Sequence, residues 1–184
     1  MQKKLFVCLL AVVMCFALTG CGKDEGDKKK PEEPTINYGT VEKVTVFDTI
    51  DKFNVELSNN GKNYFANNDY MIAENGLYWY GIYDDITCYV KPVSFGDDIK
   101  KDITYTIAIR YDVNSKNEQM ALDYVKHLIK SNNSSLTDSE ITELMTKAKE
   151  QASDKKTANN GKGITVGVLV TDKTIEYQIV RLYE

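Results

Sequence analysis

Residues 103–129 read ITYTIAIRYDVNSKNEQMALDYVKHLI, and the hydrophobic period changes half-way along this stretch. Large apolar side chains occupy the odd positions from 103 to 111, which is the two-residue period of a strand with one buried face. Further on, apolar residues recur at the 3.6-residue period of a helix, at positions 121, 124, 125, 128 and 129. Ser115 and Glu118 have the spacing of a capping box. We therefore predict a strand followed directly by a helix over about 115–131.

A second helix is predicted over about 137–152. Thr137 fits the N-cap and Glu140 the third helical position, while Leu136 is placed to contact Ile141. The predicted buried stripe of this helix is Ile141, Leu144, Met145, Ala148 and Ala152. The polar segment 154–162 that follows is predicted to be a loop.

The remaining apolar segments have the composition of strands. Asn75-Gly76, between residues 69–74 and 77–83, is the strongest local signal, because both residues tolerate positive φ and fit a two-residue type I′ hairpin turn. The other predicted strands are rich in β-branched and aromatic residues and cover 41–47, 53–57, 86–93, 164–171 and 174–183. Asp48 to Asp51 is predicted to be the turn between the first two of these.

The order of these elements is strands, then two helices, then a C-terminal hairpin. It predicts an α+β fold, a single domain over 35–184 whose mainly antiparallel sheet is covered on one face by both helices. The chain is 42% hydrophobic and 10% aromatic, which excludes intrinsic disorder. Its net charge of −4 is not basic enough to predict a nucleic-acid binder.

The first 21 residues have the layout of a secretory signal peptide. Lys3 and Lys4 precede the uncharged run 5–18, and small residues follow it up to Cys21. That run is shorter than the 20 or so residues that a helix needs to span a bilayer. A cleaved signal is therefore predicted rather than a permanent transmembrane helix.

The segment Leu18-Thr19-Gly20-Cys21 resembles the lipobox of bacterial lipoproteins. In that class, diacylglycerol is attached to the cysteine thiol and a type II signal peptidase cuts just before it. The resemblance implies that residues 1–20 are removed, that Cys21 is the lipidated N-terminus, and that the membrane and the processing enzymes are partners. The resemblance is confined to the signal segment, and no family is recognised for the folded domain. An ordinary secretory signal followed by a chance cysteine is the alternative.

Residues 21–34 contain no large apolar side chain and are predicted to be a flexible tether. As a coil, a tether of this length reaches roughly 20 Å, so the domain is expected to work close to the membrane. From residue 35 onward, 17 Lys and Arg stand against 22 Asp and Glu, a net charge of −5 that an anionic membrane repels. The excess of 21 Lys over 2 Arg resembles the usage of low-G+C Gram-positive bacteria, which implies the outer face of a single membrane.

Residues with catalytic or metal-binding chemistry are few. His127 is the only histidine and lies at the border of a helical stripe, so a zinc site with several N or S ligands is not predicted. Cys88 is the only cysteine expected to keep a free thiol after processing and lipidation, and its place in an alternating strand predicts a core residue. Asp84-Asp85 and Asp97-Asp98 fit turns. We predict no catalytic residue, cofactor or metal.

Tyr78, Trp79, Tyr80 and Tyr83 form the one cluster with functional potential. Adjacent strand residues point to opposite faces, so the predicted turn places Trp79 opposite Ile72, with Tyr78 opposite Ala73 and Tyr80 opposite Met71. Aromatic side chains that remain exposed stack on sugar rings and anchor binding partners. These four residues are therefore candidate binding residues, and packing in the core is the alternative.

The sequence favours a non-catalytic, lipid-anchored extracytoplasmic domain that binds a protein, peptide or glycan. A cell-envelope glycan hydrolase is the alternative, and it requires two carboxylates that converge in one cleft. An inhibitor or protective lipoprotein is also compatible with these features.

Overall fold

A computed structural model describes residues 44–65, 68–93, 96–154, 157–159 and 164–181. The signal segment, the lipobox with Cys21 and the tether lie outside the described residues.

The described residues form an α+β domain with three helices and one seven-stranded sheet. The helices are α1 (Val46–Asn59), α2 (Glu118–Asn132) and α3 (Asp138–Glu150). The strands are β1 (Met71–Ile72), β2 (Tyr78–Tyr83), β3 (Ile86–Pro92), β4 (Thr104–Asp112), β5 (Thr157–Asn159), β6 (Ile164–Val170) and β7 (Thr174–Arg181). Neighbouring strands are antiparallel, in the order β1-β2-β3-β4-β7-β6-β5. The predicted class, α+β with a mainly antiparallel sheet, is confirmed.

Alternate residues of the strands join the helices in one hydrophobic core. On β4, Ile109 is fully buried and pairs with Cys88 on one side and Tyr177 on the other, both of them buried as well. The same core contains the apolar stripes of α1, α2 and α3. The side of the sheet that carries Ile109 is thus its core face.

The residues between these positions point to the other side of the sheet, which we call the outer face. Its central residues come from four strands and follow the pairing of β2, β3, β4 and β7. They are Trp79, Gly81, Thr87, Tyr89, Ala108, Arg110, Glu176 and Gln178.

The prediction of a strand over 53–57 is wrong, because α1 occupies Val46–Asn59. Of the strand predicted over 41–47, residues 41–43 lie outside the described residues, Thr45 forms an isolated antiparallel bridge with Ile103, and residues 46 and 47 belong to the helix. The apolar residues here recur at helical spacing, and four of them are fully buried: Val46, Ile50, Phe53 and Leu57. Thr45 caps the helix by accepting a hydrogen bond from the Asp48 N–H at 3.0 Å. The segment predicted as a turn, 48–51, is therefore part of the first helical turns.

The hairpin at Asn75-Gly76 has one loop residue more than predicted. Met71 pairs with Trp79 and Ile72 with Tyr78, so the predicted pairing is shifted by one residue. Of the loop residues, only Gly76 has a positive φ, +76°, and its N–H donates to the Ala73 carbonyl at 2.8 Å. This geometry is a type I turn followed by a glycine in the left-handed region, and the predicted type I′ turn is wrong.

The two predicted helices are present, with one correction at an N-terminus. Thr137 and Glu140 form the predicted capping box of α3, and all five residues of the predicted α2 stripe are buried. The capping box predicted at Ser115 is wrong, because α2 begins at Glu118 with Asn117 as its N-cap. Ser115 Oγ instead accepts a hydrogen bond from the Asn117 N–H at 2.8 Å, in the turn before the helix.

The segment 154–162, predicted as a loop, contains the short strand β5. This strand pairs with residues 165–167 of β6 at one edge of the sheet. Three polar or small residues are too few to show a strand period in the sequence.

Candidate functional site

Strand alternation separates Trp79 from its two tyrosine neighbours. Tyr78 and Tyr80 are fully buried on the core face, and the Tyr78 hydroxyl donates to Asp102 Oδ2 at 2.6 Å. Tyr83, at the end of β2, is 51% exposed. Trp79 is half-buried and lies on the outer face. Of the four aromatic residues singled out from the sequence, Trp79 and Tyr83 are thus the two that a ligand can reach.

Trp79 is held in place by an aromatic residue and a cation. Its ring centroid lies 5.1 Å from that of Tyr89, its partner across the β2–β3 ladder. The Arg110 guanidinium carbon lies 4.8 Å from the Trp79 centroid and 5.2 Å from the Tyr89 centroid. One guanidinium thus makes cation–π contacts with both rings, which fixes their positions on the outer face.

A buried carboxylate holds Arg110 in turn. Glu176 is 2% exposed and lies directly opposite Arg110 across the β4–β7 ladder. Arg110 Nε and Nη2 donate to Glu176 Oε2 at 2.8 and 2.6 Å, while the Tyr89 hydroxyl and the Gln178 amide donate to Oε1. Both carboxylate oxygens are therefore engaged, as a buried charge requires. We call Trp79, Tyr89, Arg110, Glu176 and Gln178 the outer-face cluster.

Burial sets the acid–base properties of the ion pair. Burial raises the pKa of the Glu176 carboxyl, and the hydrogen bond from Gln178 opposes that rise. Burial also lowers the pKa of the Arg110 guanidinium. Each charge is thus stable in this position because the other is present.

Polar groups and open space lie beside the cluster. The hydrogen bonds of Arg110 to other described residues use Nε and Nη2, which leaves Nη1 for a ligand. Thr87, a half-buried residue, pairs with Arg110 on one side and with Gly81 on the other, so it lies on the same row of the outer face. A Cβ at Gly81 would meet no atom within 4 Å, apart from its chain neighbours.

Sequence reasoning missed Arg110 and Glu176. Their strand positions were readable, since each alternates with large apolar residues that face the core. Their pairing could not be predicted, because they are 66 positions apart in the sequence and the order of the strands decides which residues meet. The cluster depends on that pairing.

His127 takes part in polar contacts between two helices. Its Nδ1 lies 3.1 Å from Glu56 Oε1 and its Nε2 3.9 Å from Asp123 Oδ1. Asp123 also pairs with Lys62 at 2.5 Å, so these contacts connect the end of α1 with α2. Within the described ranges, no group of three or more His, Cys, Asp or Glu side chains is placed to hold a metal ion.

The other residues with reactive groups are part of the framework. Cys88 is fully buried, as predicted, and burial raises the pKa of its thiol. Asp84 and Asp97 occupy turns with φ of 42° and 56°. The Asn117 amide donates to Asp85 at 2.8 Å and lowers the pKa of that carboxyl, while Lys101 does the same for Asp98.

A cavity of about 690 Å³ lies along α3, away from the outer-face cluster. Its described lining is Asp138, Ser139, Thr142, Glu143, Thr146, Lys147 and Glu150. These residues come from one helix, and Lys147 and Glu143 already form an ion pair. We therefore place the candidate site on the outer face.

Comparison of the chain with known protein families, curated proteins and solved structures finds no match. None of the helices in the described part of the chain is both long and apolar enough to cross a membrane.

Proposed function

We propose that this protein is a lipid-anchored, extracytoplasmic binding module whose ligand lies on the outer face of the sheet. The observation that carries the proposal is the outer-face cluster, in which Trp79 is half-buried yet fixed by Tyr89 and Arg110. A rigid aromatic residue with a polar surround is typical of binding anchors, because little conformational entropy is lost when the ligand is bound.

The sequence supports the anchor. Cys21 ends a lipobox-like segment, and two acyl chains on its thiol give stable attachment at about 0.8 kcal/mol per buried CH₂. The proposed location is the outer face of the cell membrane of a Gram-positive bacterium, with the domain held near the bilayer by the tether at 21–34.

In this proposal the helices pack on the core face of the sheet, and the ligand binds on the outer face. We take α2 and α3 to cover only the core face, as the sequence predicts, because their apolar stripes belong to the same core as Ile109. Tyr89 and Ala108 are buried on the outer face but lie outside that core. The half-buried Trp79, Thr87 and Arg110 and the exposed Gly81 are then the part of this face that a partner can cover.

A binding role fits the cluster better than hydrolysis does. Hydrolysis of a glycosidic bond uses two carboxylates that are free to exchange protons or attack the sugar. Glu176 is the only carboxylate of the outer-face cluster, and both its oxygens accept hydrogen bonds from neighbouring side chains. We therefore propose a non-catalytic protein.

The fluorescence of Trp79 tests the proposal directly, because Trp79 is the only tryptophan in the chain. The purified protein is titrated with soluble glycan and protein fractions of a Gram-positive cell envelope. At least one fraction should cause a saturable shift of the emission to shorter wavelength, as water is displaced from the indole.

Two variants complete the test. Gly81→Val should abolish the shift, since the added side chain occupies the open position beside the cluster, where a Cβ would meet no atom within 4 Å apart from the chain neighbours. Tyr64→Ala, which removes an aromatic residue that is 68% exposed in the loop after α1, should behave as wild type. The proposal of a ligand on the outer face would be contradicted if no fraction changed the Trp79 emission. It would also be contradicted if the Gly81→Val variant gave the same emission shift as the wild type.

A further inference from the structure

We propose that the outer-face cluster binds an uncharged saccharide. This inference rests on the proposed function and specifies the chemistry of its ligand. It follows from three properties of the cluster, namely its mixture of aromatic and polar groups, its charge balance and the open position at Gly81.

The first property is an aromatic ring beside hydrogen-bonding groups. A pyranose has an apolar C–H face and a rim of hydroxyl groups, so it is recognised by an aromatic ring together with donors and acceptors at the ring's edge. Trp79 supplies the ring, Arg110 Nη1 supplies donors, and the Thr87 hydroxyl supplies both a donor and an acceptor. An apolar peptide side chain would use the ring but would leave these polar groups desolvated without partners.

The second property is the absence of a net charge in the cluster. The positive charge of Arg110 is matched by Glu176 at 2.6 Å, so no uncompensated cation is offered to an anionic ligand. The chain from residue 35 onward has a net charge of −5, which adds a long-range repulsion for polyanions. Charge therefore favours a neutral sugar over an acidic one.

The third property is space. The outer-face row that carries Arg110 continues through Thr87 to Gly81, where no side chain blocks the approach to the sheet. Because the Arg110 guanidinium already lies over the Trp79 ring, the sugar is proposed to contact the part of the indole that Arg110 leaves open and to extend a hydroxyl or a neighbouring residue of the glycan over Gly81. Residues Arg110, Thr87 and Gly81 of this row would then all contact the ligand, in addition to the Trp79 ring.

The test uses four defined probes with Trp79 emission as the readout on the full chain. Cellotetraose and chitotetraose are uncharged, tetragalacturonate is an acidic counterpart, and the tripeptide Gly-Phe-Gly is an aromatic ligand without sugar. One of the uncharged tetrasaccharides should produce a saturable shift to shorter wavelength. Thr87→Val, which keeps the shape and removes the hydroxyl, should weaken that binding by about three- to tenfold.

The outcomes separate this inference from the proposed function. A stronger response to tetragalacturonate or to Gly-Phe-Gly than to both neutral sugars would overturn the saccharide assignment. If none of the four probes shifts the Trp79 emission but an envelope fraction does, the saccharide assignment is also overturned, while the proposed binding role stands. If neither the probes nor any envelope fraction shifts the emission, both the saccharide assignment and the proposed binding role are overturned. Tyr64→Ala is the matched control and should bind as wild type does.

Discussion

Two oppositely charged side chains determine the local stability of the outer face. Glu176 is buried, and its carboxylate is tolerated because Arg110, Tyr89 and Gln178 all donate to it. Removal of one member of such a pair leaves a buried charge without its partner. The same residues also position Trp79, so stability and ligand binding depend on one set of contacts.

Arg110→Ala should therefore lower the free energy of unfolding by about 3 kcal/mol at pH 7. Without the guanidinium, burial keeps the folded-state pKa of Glu176 above its unfolded value, so the folded state binds the proton more tightly. The lost stability should then be partly recovered as the pH falls toward 4, where Glu176 is protonated. Denaturant unfolding at pH 4 and pH 7 measures both quantities.

Lys116→Ala is the control for this experiment. Lys116 also pairs with a carboxylate, Asp84, at 3.6 Å, but its side chain is 82% exposed. Its loss should change stability by less than about 1 kcal/mol at either pH. A deficit in Arg110→Ala that stays the same, or grows, on acidification would contradict the role given to Glu176.

At the scale of elements, the hairpin of β1 and β2 determines which residues share the outer face with Trp79. A one-residue change in the loop moves the partner of Trp79 from Ile72 to Met71. In the observed turn only Gly76 has a positive φ, whereas a type I′ turn requires it at Asn75 as well. The two turns therefore differ in which substitutions they tolerate.

Gly76→Ala should cost about 1 kcal/mol or more, because alanine is strained at a φ of +76°. Asn75→Ala should cost less than this, about 0.5 kcal/mol, since Asn75 is exposed, has no positive φ, and loses only the long, exposed hydrogen bond that its Oδ1 accepts from the Leu77 N–H at 3.3 Å. Thermal or denaturant unfolding of the two variants gives the comparison. Equal losses would indicate the two-residue turn.

The helices show how far a hydrophobic pattern predicts an element. The apolar stripes of α2 and α3 could be predicted from the sequence, because strong helix formers and clear turns surround them. Helix α1 could not be predicted, because the Val, Phe and Ile residues within 44–57 have strand propensity. This helix depends instead on the burial of Ile50, Phe53 and Leu57 against the rest of the core. Tertiary packing decided that segment, and local composition pointed the other way.

At the scale of the whole molecule, the candidate site exists only because four strands lie side by side. Period-2 alternation showed which residues leave the core, and it separated Trp79 from Tyr78 and Tyr80. Which outward residues meet depends on the strand order: Tyr89 and Glu176 touch although they are 87 positions apart in the sequence. Local sequence patterns carry no information on such pairings, so Trp79 could be singled out as a candidate from the sequence, whereas its contact with Tyr89 and the Arg110–Glu176 ion pair could not.

The whole molecule is proposed to reach its ligand through a lipid, and this gives a prediction independent of the outer face. Cys21→Ala should move the protein from the membrane to the soluble fraction, because the acidic domain has no attraction of its own for an anionic bilayer. The variant should also fail to incorporate a labelled fatty acid. Cys88→Ala is the matched control, since Cys88 is buried in the core and should leave both properties unchanged. Retention on the membrane and fatty-acid labelling in Cys21→Ala would show that another residue or surface anchors the protein.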